Sequence, residues 1–293
     1  MNASMSGFDV IVCGSLHLDV MVAAPRLPRP DETVVGSNWR LKSGGKGGNQ
    51  AVMAARAGAR VAMIGRTGRD DFGARLRADL DAAGVDSTAV AVDARAASGM
   101  SVAIVRADGE YGAVIVSGAI LNIDPKTVSN QWRALGGAKA LVLQNEIPEA
   151  ANLAAAEIAR ADAALIVLNA APARALSPQL LERVDLFVVN RIEAAAYGGE
   201  EVGDRASAAR VAARLTAGRR SVIVTLGGRG LVVAAKDGPS AFIPAKPVRV
   251  ASAHGAGDCF VGTLAAALAR GAALVDACRL ASDAAADHVA GAG

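Results

Sequence analysis

The sequence predicts an α/β fold: a doubly wound, mainly parallel central sheet with helices on both faces, plus a small separate β-sheet. One observation behind this is the regular alternation of short β-branched runs with helix-like segments. The other is composition, since 52% of the residues are hydrophobic but only 3% are aromatic. A core built from Ala, Val, Leu and Ile is typical of buried parallel strands covered by Ala-rich helices. The 293 residues fit one large domain, which we assign to residues 1–293.

The alternation begins with a strand at residues 9–13, which ends at Gly14. Further strands are predicted at residues 61–64, 140–143, 165–169, 186–189 and 221–225, and helices at residues 49–57, 71–83, 149–161, 205–217 and 259–269. In sheets of this kind, ligands bind beyond the carboxyl ends of the strands. Polar residues follow several of these strands, so we expect the functional site at that edge of the sheet.

Two segments interrupt the alternation and are predicted to form the small sheet. Residues 20–41 alternate apolar and polar side chains, contain three prolines and lack a helical period. Residues 98–116 contain two apolar runs that flank residues 106–112, where Ala-Asp-Gly-Glu indicates a hairpin turn. We interpret the two segments as one lid, formed by about residues 18–42 and 98–117. A lid is typical of an enzyme that must exclude water.

Charge and cysteine content exclude several classes of protein. The 31 basic and 28 acidic residues give a net charge of +3 and are spread along the chain, so nucleic acid is not an expected partner. Cys13, Cys259 and Cys278 are odd in number and widely spaced, which indicates core residues in a reducing compartment. Residues 1–7 lack a signal-peptide pattern, and the run at 9–13 is too short to cross a bilayer. We therefore expect a soluble, cytoplasmic protein without a membrane partner.

The most informative segment is Gly255-Ala256-Gly257-Asp258, which leads directly into an apolar helix. Small residues at a helix start let backbone N–H groups approach an anion, and the helix dipole favours phosphate there. A carboxylate is a poor ligand for phosphate, so Asp258 is better explained as the proton acceptor for an attacking hydroxyl. The alternative is that Asp258 is simply the N-cap of the helix.

Another glycine-rich segment opens the first predicted helix, at residues 43–51. It is not a Walker A motif, because Gly47 follows Lys46 where that motif has Ser or Thr. The segment suggests a backbone surface that a hydroxyl-rich ligand approaches closely, with Lys46 and Asn49 as donors. A flexible connector between lid and core is the alternative.

Two further segments follow predicted strands. Residues 225–230 precede the apolar run 231–234 and also fit a tight hairpin between two strands. Asn190 and Glu193 open a predicted helix, where Glu193 could hold a metal ion through water. The alternative for Glu193 is favourable first-turn chemistry with the helix dipole.

Taken in order, these motifs resemble the PfkB-type, ribokinase-like carbohydrate kinases, and most closely their ribokinase branch. The matching segments are Gly14-Ser15, residues 44–51, residues 67–73, Gly118-Ala119, residues 190–193, residues 225–230 and residues 255–258. They cover nearly the whole chain in the same order, which makes a chance resemblance implausible.

The resemblance implies a role for each matching residue. Asp258 is implied as the catalytic base, and the amides of Gly255, Ala256 and Gly257 as the anion hole for the transferred phosphoryl group. The implied sugar-binding residues are Asp19, Gly45, Lys46, Asn49 and Glu146, and the implied ATP and Mg²⁺ contacts are Asn190, Glu193, Thr225, Gly227 and Gly230. The lid of several family members also pairs with another subunit, which implies a homodimer.

The chain departs from the family pattern at two places. Where the family usually has Asp-Thr-Thr before the Gly-Ala-Gly-Asp turn, this chain has Ser252-Ala253-His254. In the family that Asp helps to build a monovalent-cation site, and Ser252 brings no charge, so activation by K⁺ stays open. His17 occupies the position of a sugar-pocket Asn, and it is implied as a substrate contact that points to a sugar other than plain ribose.

The expected function is transfer of the γ-phosphate of ATP to a primary hydroxyl of a small, ribose-like sugar, with Mg²⁺ as cofactor. A nucleoside or other small-alcohol kinase is an alternative, because the phosphate machinery does not determine the acceptor. A non-catalytic sugar or nucleotide sensor is another. A dehydrogenase is not supported, because no GxGxxG motif follows the first predicted strand.

Overall fold

A mostly parallel sheet forms the centre of the molecule in a computed structural model that describes residues 7–106 and 111–291. Its strands are β1 (Phe8–Cys13), β4 (Val61–Gly68), β5 (Val85–Asp86), β6 (Val90–Asp93), β9 (Ala138–Gln144), β10 (Leu165–Asn169), β11 (Leu186–Asn190), β12 (Ser221–Thr225), β13 (Leu231–Ala234) and β14 (Ala241–Ile243). The strand order is β14-β13-β12-β11-β10-β9-β1-β4-β5, and β6 pairs with β4. Among the described strands of this sheet, only the pairs β12–β13 and β13–β14 are antiparallel.

Helices cover both faces of this sheet. They are α1 (Lys46–Arg56), α2 (Asp71–Ala82), α3 (Pro125–Ala134), α4 (Glu149–Ala161), α5 (Pro178–Arg183), α6 (Arg191–Gly198), α7 (Arg205–Thr216), α8 (Ala256–Ala269) and α9 (Leu274–Val289), with short 3₁₀ turns at Gly118–Asn122 and Gly227–Arg229. One buried cluster joins α3, α4 and α7 to one face, and a second joins α1, α2, α8 and α9 to the other. Alternate residues of β1 point into the two clusters, as expected for a strand buried on both faces. The predicted fold class is confirmed.

A separate four-stranded sheet contains β2 (His17–Ala23), β3 (Asn38–Gly44), β7 (Gly99–Val105) and β8 (Tyr111–Val116), in the order β3-β2-β7-β8. The predicted pairing of the two runs on either side of residues 106–112 is confirmed, since β7 and β8 are antiparallel. The turn predicted between them lies partly outside the described residues. The strands predicted within residues 20–41 are confirmed as β2 and β3, and residues 24–37 between them have no regular structure. Prolines in that stretch remove backbone donors that a strand needs.

The three cysteines are core residues, as the sequence predicts. Cys13, Cys259 and Cys278 are buried and free, and burial raises the pKa of the Cys13 and Cys278 thiols to about 12. These thiols therefore behave as small apolar core groups. Across residues 7–106 and 111–291, no helix is both long and apolar enough to cross a bilayer.

The glycine-rich segment at residues 43–51 is not a flexible connector. Gly44 ends β3, Gly45, with φ 83°, is the N-cap of α1, and Gly47 and Gly48 lie in the first turn of that helix. A Cβ on Gly47 would lie 2.6 Å from the backbone nitrogen of Ser15, so only glycine lets α1 approach the end of β1 this closely. The sequence therefore uses glycine here to bring the helix start against the carboxyl edge of the sheet.

Candidate active site

The start of α8 is a glycine turn with open backbone donors. Gly255, with φ 82°, is the N-cap, and the first i to i−4 hydrogen bond runs from Cys259 N to Gly255 O at 2.9 Å. The N–H of Ala256 makes only a long contact of 3.5 Å to Ala253 O, and the N–H groups of Gly257 and Asp258 have no acceptor one turn earlier within the helix. A Cβ on Gly257 would meet no atom within 4 Å, so the space in front of this turn is open. The N-cap interpretation of Asp258 is wrong, because Gly255 holds that position and Asp258 lies in the first helical turn.

Asp258 is buried, with a relative exposure of 9%, and faces α1. Its Oδ2 accepts a hydrogen bond from Asn49 Nδ2 at 2.9 Å, and its Oδ1 accepts one from Gln50 Nε2 at 3.0 Å. Burial raises the pKa of the Asp258 carboxyl, while the charge of Lys46 and the two hydrogen bonds oppose that rise. A carboxylate held rigidly, with its pKa shifted toward neutrality, is suited to accept a proton.

Gln50 is a site residue that the sequence did not reveal. It is fully buried, and its Nε2 donates to Asn169 Oδ1 at 3.0 Å as well as to Asp258. Its Oε1 accepts from Gln144 Nε2 at 2.8 Å, so the amide orientation is fixed by neighbours on both sides. The sequence did contain an indication of this role, because Gln50 is a polar side chain on a helix face otherwise made of glycine and alanine.

Glu146 lies at the start of α1, where the helix dipole favours a negative charge. Its Oε2 accepts hydrogen bonds from the Ser15 hydroxyl and, at 3.0 Å, from the backbone N–H of Lys46. The Ser15 hydroxyl also accepts from Gly47 N at 3.3 Å, which connects the end of β1 to α1. Three of the predicted sugar contacts, Gly45, Lys46 and Glu146, are thereby brought together at one helix start.

Asp19 and His17 lie on β2, at the lid side of the site. Asp19 Oδ1 accepts from the Ser101 hydroxyl at 2.5 Å, and a Cβ on Gly44 would fall 2.3 Å from Asp19 Oδ2. His17 is only 6% exposed, and its buried Nε2 has no hydrogen-bond partner among the described residues. Burial lowers the pKa of His17 against the opposing charges of Glu146 and Asp19, so its imidazole is neutral near pH 7.

A cavity of about 220 Å³ joins the predicted catalytic turn to the predicted nucleotide residues. Its lining includes Lys46, Asn169, Asn190, Glu193, Thr225, Gly255, Ala256, Gly257 and Asp258. The carboxyl ends of β10, β11 and β12 meet there, with Asn190 beside Thr225 in register. The structure thus brings residues from distant parts of the sequence around one small polar space.

A second cavity, of about 390 Å³, shares Thr225, Ala256 and Gly257 with the lining of the first. It is lined mainly by apolar residues, and its walls include Thr225, Gly227, Gly230, Val248, Val250, Ala256, Gly257, Phe260 and Val289. The predicted hairpin at residues 225–230 is confirmed, since β12 and β13 pair antiparallel across it. An apolar slot beside a polar, N–H-rich cavity suits a ligand with a flat ring at one end and phosphates at the other.

Asn190 and Glu193 form a capping box at the start of α6. Asn190 Oδ1 accepts from the N–H groups of Ile192 and Glu193 at 2.7 and 3.1 Å, and Glu193 Oε2 accepts from Asn190 N at 2.8 Å. The first-turn interpretation is therefore confirmed, and Glu193 also lines the polar cavity. Residues 7–106 and 111–291 contain no cluster of three or more metal-ligating side chains. Such a sparse set fits Mg²⁺, which keeps several waters and takes the rest of its ligands from phosphates.

The loop before the α8 turn offers no charged ligand to a monovalent cation. Ser252 Oγ already accepts a hydrogen bond from His254 N at 3.3 Å, and no carboxylate stands at residues 252–254. Ala251 N and Ser252 N both donate to Val289 O, at 2.7 and 3.1 Å. The predicted cation ligand Ser252 is therefore part of a hydrogen-bonded loop without charge.

The fold and the arrangement of the site define an α/β phosphotransferase of the sugar kinase class. The family model described as pfkB family carbohydrate kinase matches residues 8–292, and the chain belongs to that family. A ribokinase from Haemophilus influenzae is 34% identical over 279 residues, which is 95% of this chain and 91% of the relative. A ribokinase from Mus musculus is 35% identical over 263 residues, covering 89% of this chain and 81% of the relative.

A solved structure supports the same family assignment. The structure of Arabidopsis thaliana ribokinase complexed with ribose and ATP matches with a TM-score of 0.87 at 25% identity, covering 96% of this chain and 92% of that one. The expected family and its ribokinase branch are thus confirmed, and the protein is an ATP-dependent carbohydrate kinase.

Proposed function

We propose that this kinase phosphorylates a primary hydroxyl of a small, ribose-like sugar, with Asp258 as the general base. The observation that carries the proposal is the buried Asp258 carboxylate, held by Asn49 and Gln50 beside the open α8 turn. Relatives named ribokinase, and a relative solved with ribose and ATP, support the acceptor class.

Most of the rate enhancement would come from positioning. Asp19 and Glu146 would accept hydrogen bonds from sugar hydroxyls, while Lys46 and Asn49 would donate. Asp258 would take the proton as the sugar oxygen attacks the γ-phosphorus, and the amides of Gly255, Ala256 and Gly257 would stabilise the transferring phosphoryl group.

The nucleotide would occupy the two cavities that share Thr225 and Gly257, with its phosphates near Asn190 and its base beside Gly227 and Gly230. Glu193 would hold Mg²⁺ through water, and the bound ion would neutralise phosphate charge. K⁺ is not required in this proposal, because the loop at Ser252 lacks a charged ligand.

We further propose that residues 1–293 act as one domain whose lid, about residues 18–42 and 98–117, closes over the sugar and excludes water. The protein would work in the cytoplasm as a homodimer joined through the lid. Exposed apolar side chains on β8 support that interface.

A coupled ADP-release assay over pentoses, hexoses, sugar acids and nucleosides, with and without K⁺, tests the proposal. We expect turnover with a ribose-like pentose, and we expect Asp258→Asn to lower kcat about 10²–10⁴-fold while sugar affinity stays close to wild type. Turnover on nucleosides alone would replace the proposed acceptor. Sugar binding without any ADP release would instead indicate a sensor, and a fully active Asp258→Asn variant would remove the base assignment.

His17 gives a second test, because its unpartnered Nε2 points to a contact that the substrate supplies. In the His17→Asn variant, we expect relative kcat/KM values on the same sugar panel to shift toward ribose by about 10-fold, the size of one hydrogen bond. Ser101→Ala, which removes the hydroxyl that donates to Asp19, is the matched control for general damage on the lid side. Unchanged relative kcat/KM values in His17→Asn would exclude His17 from the substrate contacts.

A further inference from the structure

The C-terminal turn of α9 touches the loop that leads into the anion-hole turn. His288 Nε2 lies 3.1 Å from the carbonyl oxygen of His254. A carbonyl oxygen can only accept, so Nε2 must carry the hydrogen and His288 must be the donor. The imidazole also packs against the turn, since a Cβ on Gly255 would lie 3.1 Å from the same nitrogen.

Other contacts make this attachment firm. Val289, the next residue of α9, accepts hydrogen bonds at its carbonyl from Ala251 N and Ser252 N. Asp287 forms a salt bridge of 2.7 Å with Lys246, which lines the larger nucleotide cavity. Three successive residues of α9 therefore hold the chain on both sides of the nucleotide site.

The position of the His288 contact matters because of peptide geometry. The C=O of His254 and the N–H of Gly255 belong to one planar peptide unit and point in opposite directions. A donor that fixes the carbonyl therefore also fixes the direction of the Gly255 N–H, one of the proposed anion-hole donors. Gly255 adopts φ 82°. Glycine populates positive and negative φ about equally, so its own backbone preference does not hold the peptide in this orientation, and a contact from outside the turn is needed to do so.

We propose that His288 is a positioning residue that orients the peptide between His254 and Gly255 for phosphoryl transfer. In this chain the side-chain contact takes the place of the monovalent cation that the family resemblance implies beside the anion hole. His288 transfers no proton, because both its neutral Nε2–H form and its charged form donate at this atom. The inference rests on the proposed kinase mechanism and adds an orienting group to it.

The variants His288→Leu and His288→Gln separate packing from hydrogen bonding, since Gln can place an amide N–H near the position of Nε2 while Leu cannot donate. We expect His288→Leu to lower kcat about 10–100-fold with little change in the KM for sugar, which is less than the loss of an anion-hole donor itself. We expect His288→Gln to recover most of the activity. Arg279→Gln, at an exposed position on the same helix, is the control and should match wild type.

Hydrogen exchange supplies a readout that does not depend on turnover. In His288→Leu, peptides that cover residues 251–258 should exchange faster than in wild type, whereas His288→Gln and Arg279→Gln should not differ. Unchanged exchange and kcat in His288→Leu, or equal losses of kcat in His288→Leu and His288→Gln, would overturn the proposal. If wild type turns over no acceptor, the proposed function fails, and the exchange result still decides the role of His288.

The cation part of the inference has its own measurement. Wild-type kcat, and the melting temperature with ADP bound, should be the same in K⁺ as in tetramethylammonium at equal ionic strength. Activation by K⁺ of about 10-fold or more, or a clear rise in melting temperature with K⁺ alone, would show that the His288 contact does not replace the ion.

Discussion

The burial of Asp258, the proposed general base, lowers the stability of the folded protein at neutral pH. Its burial raises the pKa of the carboxyl, which means that the folded protein binds a proton there more tightly than the unfolded chain does. The ionised form therefore lowers the free energy of unfolding at neutral pH. Hydrogen bonds from Asn49 and Gln50 reduce this cost without removing it.

The Asp258→Asn variant should consequently be more stable than wild type at pH 8. Gln50 is fixed by its other partners and can keep donating to the Asn oxygen, while Asn49 can turn its amide to accept from the new NH₂. We expect a rise in melting temperature of at least about 2 °C. As the pH falls through the raised folded pKa toward the ordinary value of 3.8, the wild-type carboxyl becomes protonated and the difference should shrink.

Scanning calorimetry from pH 4 to pH 8 checks this. Asp81→Asn, which changes an exposed carboxylate on α2, should show no comparable gain. An Asp258→Asn variant that is less stable than wild type at pH 8 would mean that the ionised carboxylate stabilises the fold.

At the scale of elements, helix starts carry most of the proposed chemistry. The start of α1 holds Glu146, the start of α8 offers open amides to the polar cavity, and the start of α6 is closed by its own capping box. Glu193 serves both structure and, in our proposal, Mg²⁺ binding, because one oxygen caps α6 while the carboxylate lines the cavity. Capping of α6 needs only a hydrogen-bond acceptor, whereas the proposed Mg²⁺ binding needs the negative charge.

Glu193→Gln separates those roles. The amide oxygen can still accept from Asn190 N, so we expect a melting temperature near that of wild type. The lost charge should raise the Mg²⁺ concentration needed for half-maximal ADP release by about 10-fold. Glu149→Gln is the matched control, because Glu149 is also a first-turn glutamate whose carboxylate accepts a backbone N–H, from Ser177 at 2.8 Å, but it is outside the cavity lining. An unchanged Mg²⁺ requirement in Glu193→Gln would leave Glu193 with the capping role alone.

At the scale of the whole molecule, the sequence predicted the strands of the sheet and the order of the site motifs. It predicted less well the helices between the strands and the contacts between distant residues. Buried strands such as β1 and β10 are continuous apolar runs, so pattern alone located them. Pattern did not locate α3, whose residues Val128 and Trp132 reach the core from an otherwise polar segment. Gln50 and His288 were not assigned to the site because their roles depend on partners more than 30 positions away, Asp258 and His254.

The lid presents an unusual amount of apolar surface for a small sheet. Val114, Ile115 and Val116 on the edge strand β8 are 69%, 62% and 52% exposed. Adjacent strand residues point to opposite faces, so both faces of this edge are apolar where natural edges usually carry charge. Pairing with the lid of a second copy would bury that surface and give the edge strand a neighbour.

We therefore expect the protein to elute as a dimer in size-exclusion chromatography with light scattering, and Ile115→Lys to shift it toward the monomer by placing a charge in the interface. Leu280→Lys, which changes an equally exposed apolar residue on α9, should leave the dimer intact. Because β2 carries both His17 and Asp19 and pairs with β7 inside the same sheet, the monomeric variant should also lose sugar affinity through a less restrained lid. A wild-type monomer at all concentrations, or a dimer that Ile115→Lys does not weaken, would place any subunit contact elsewhere.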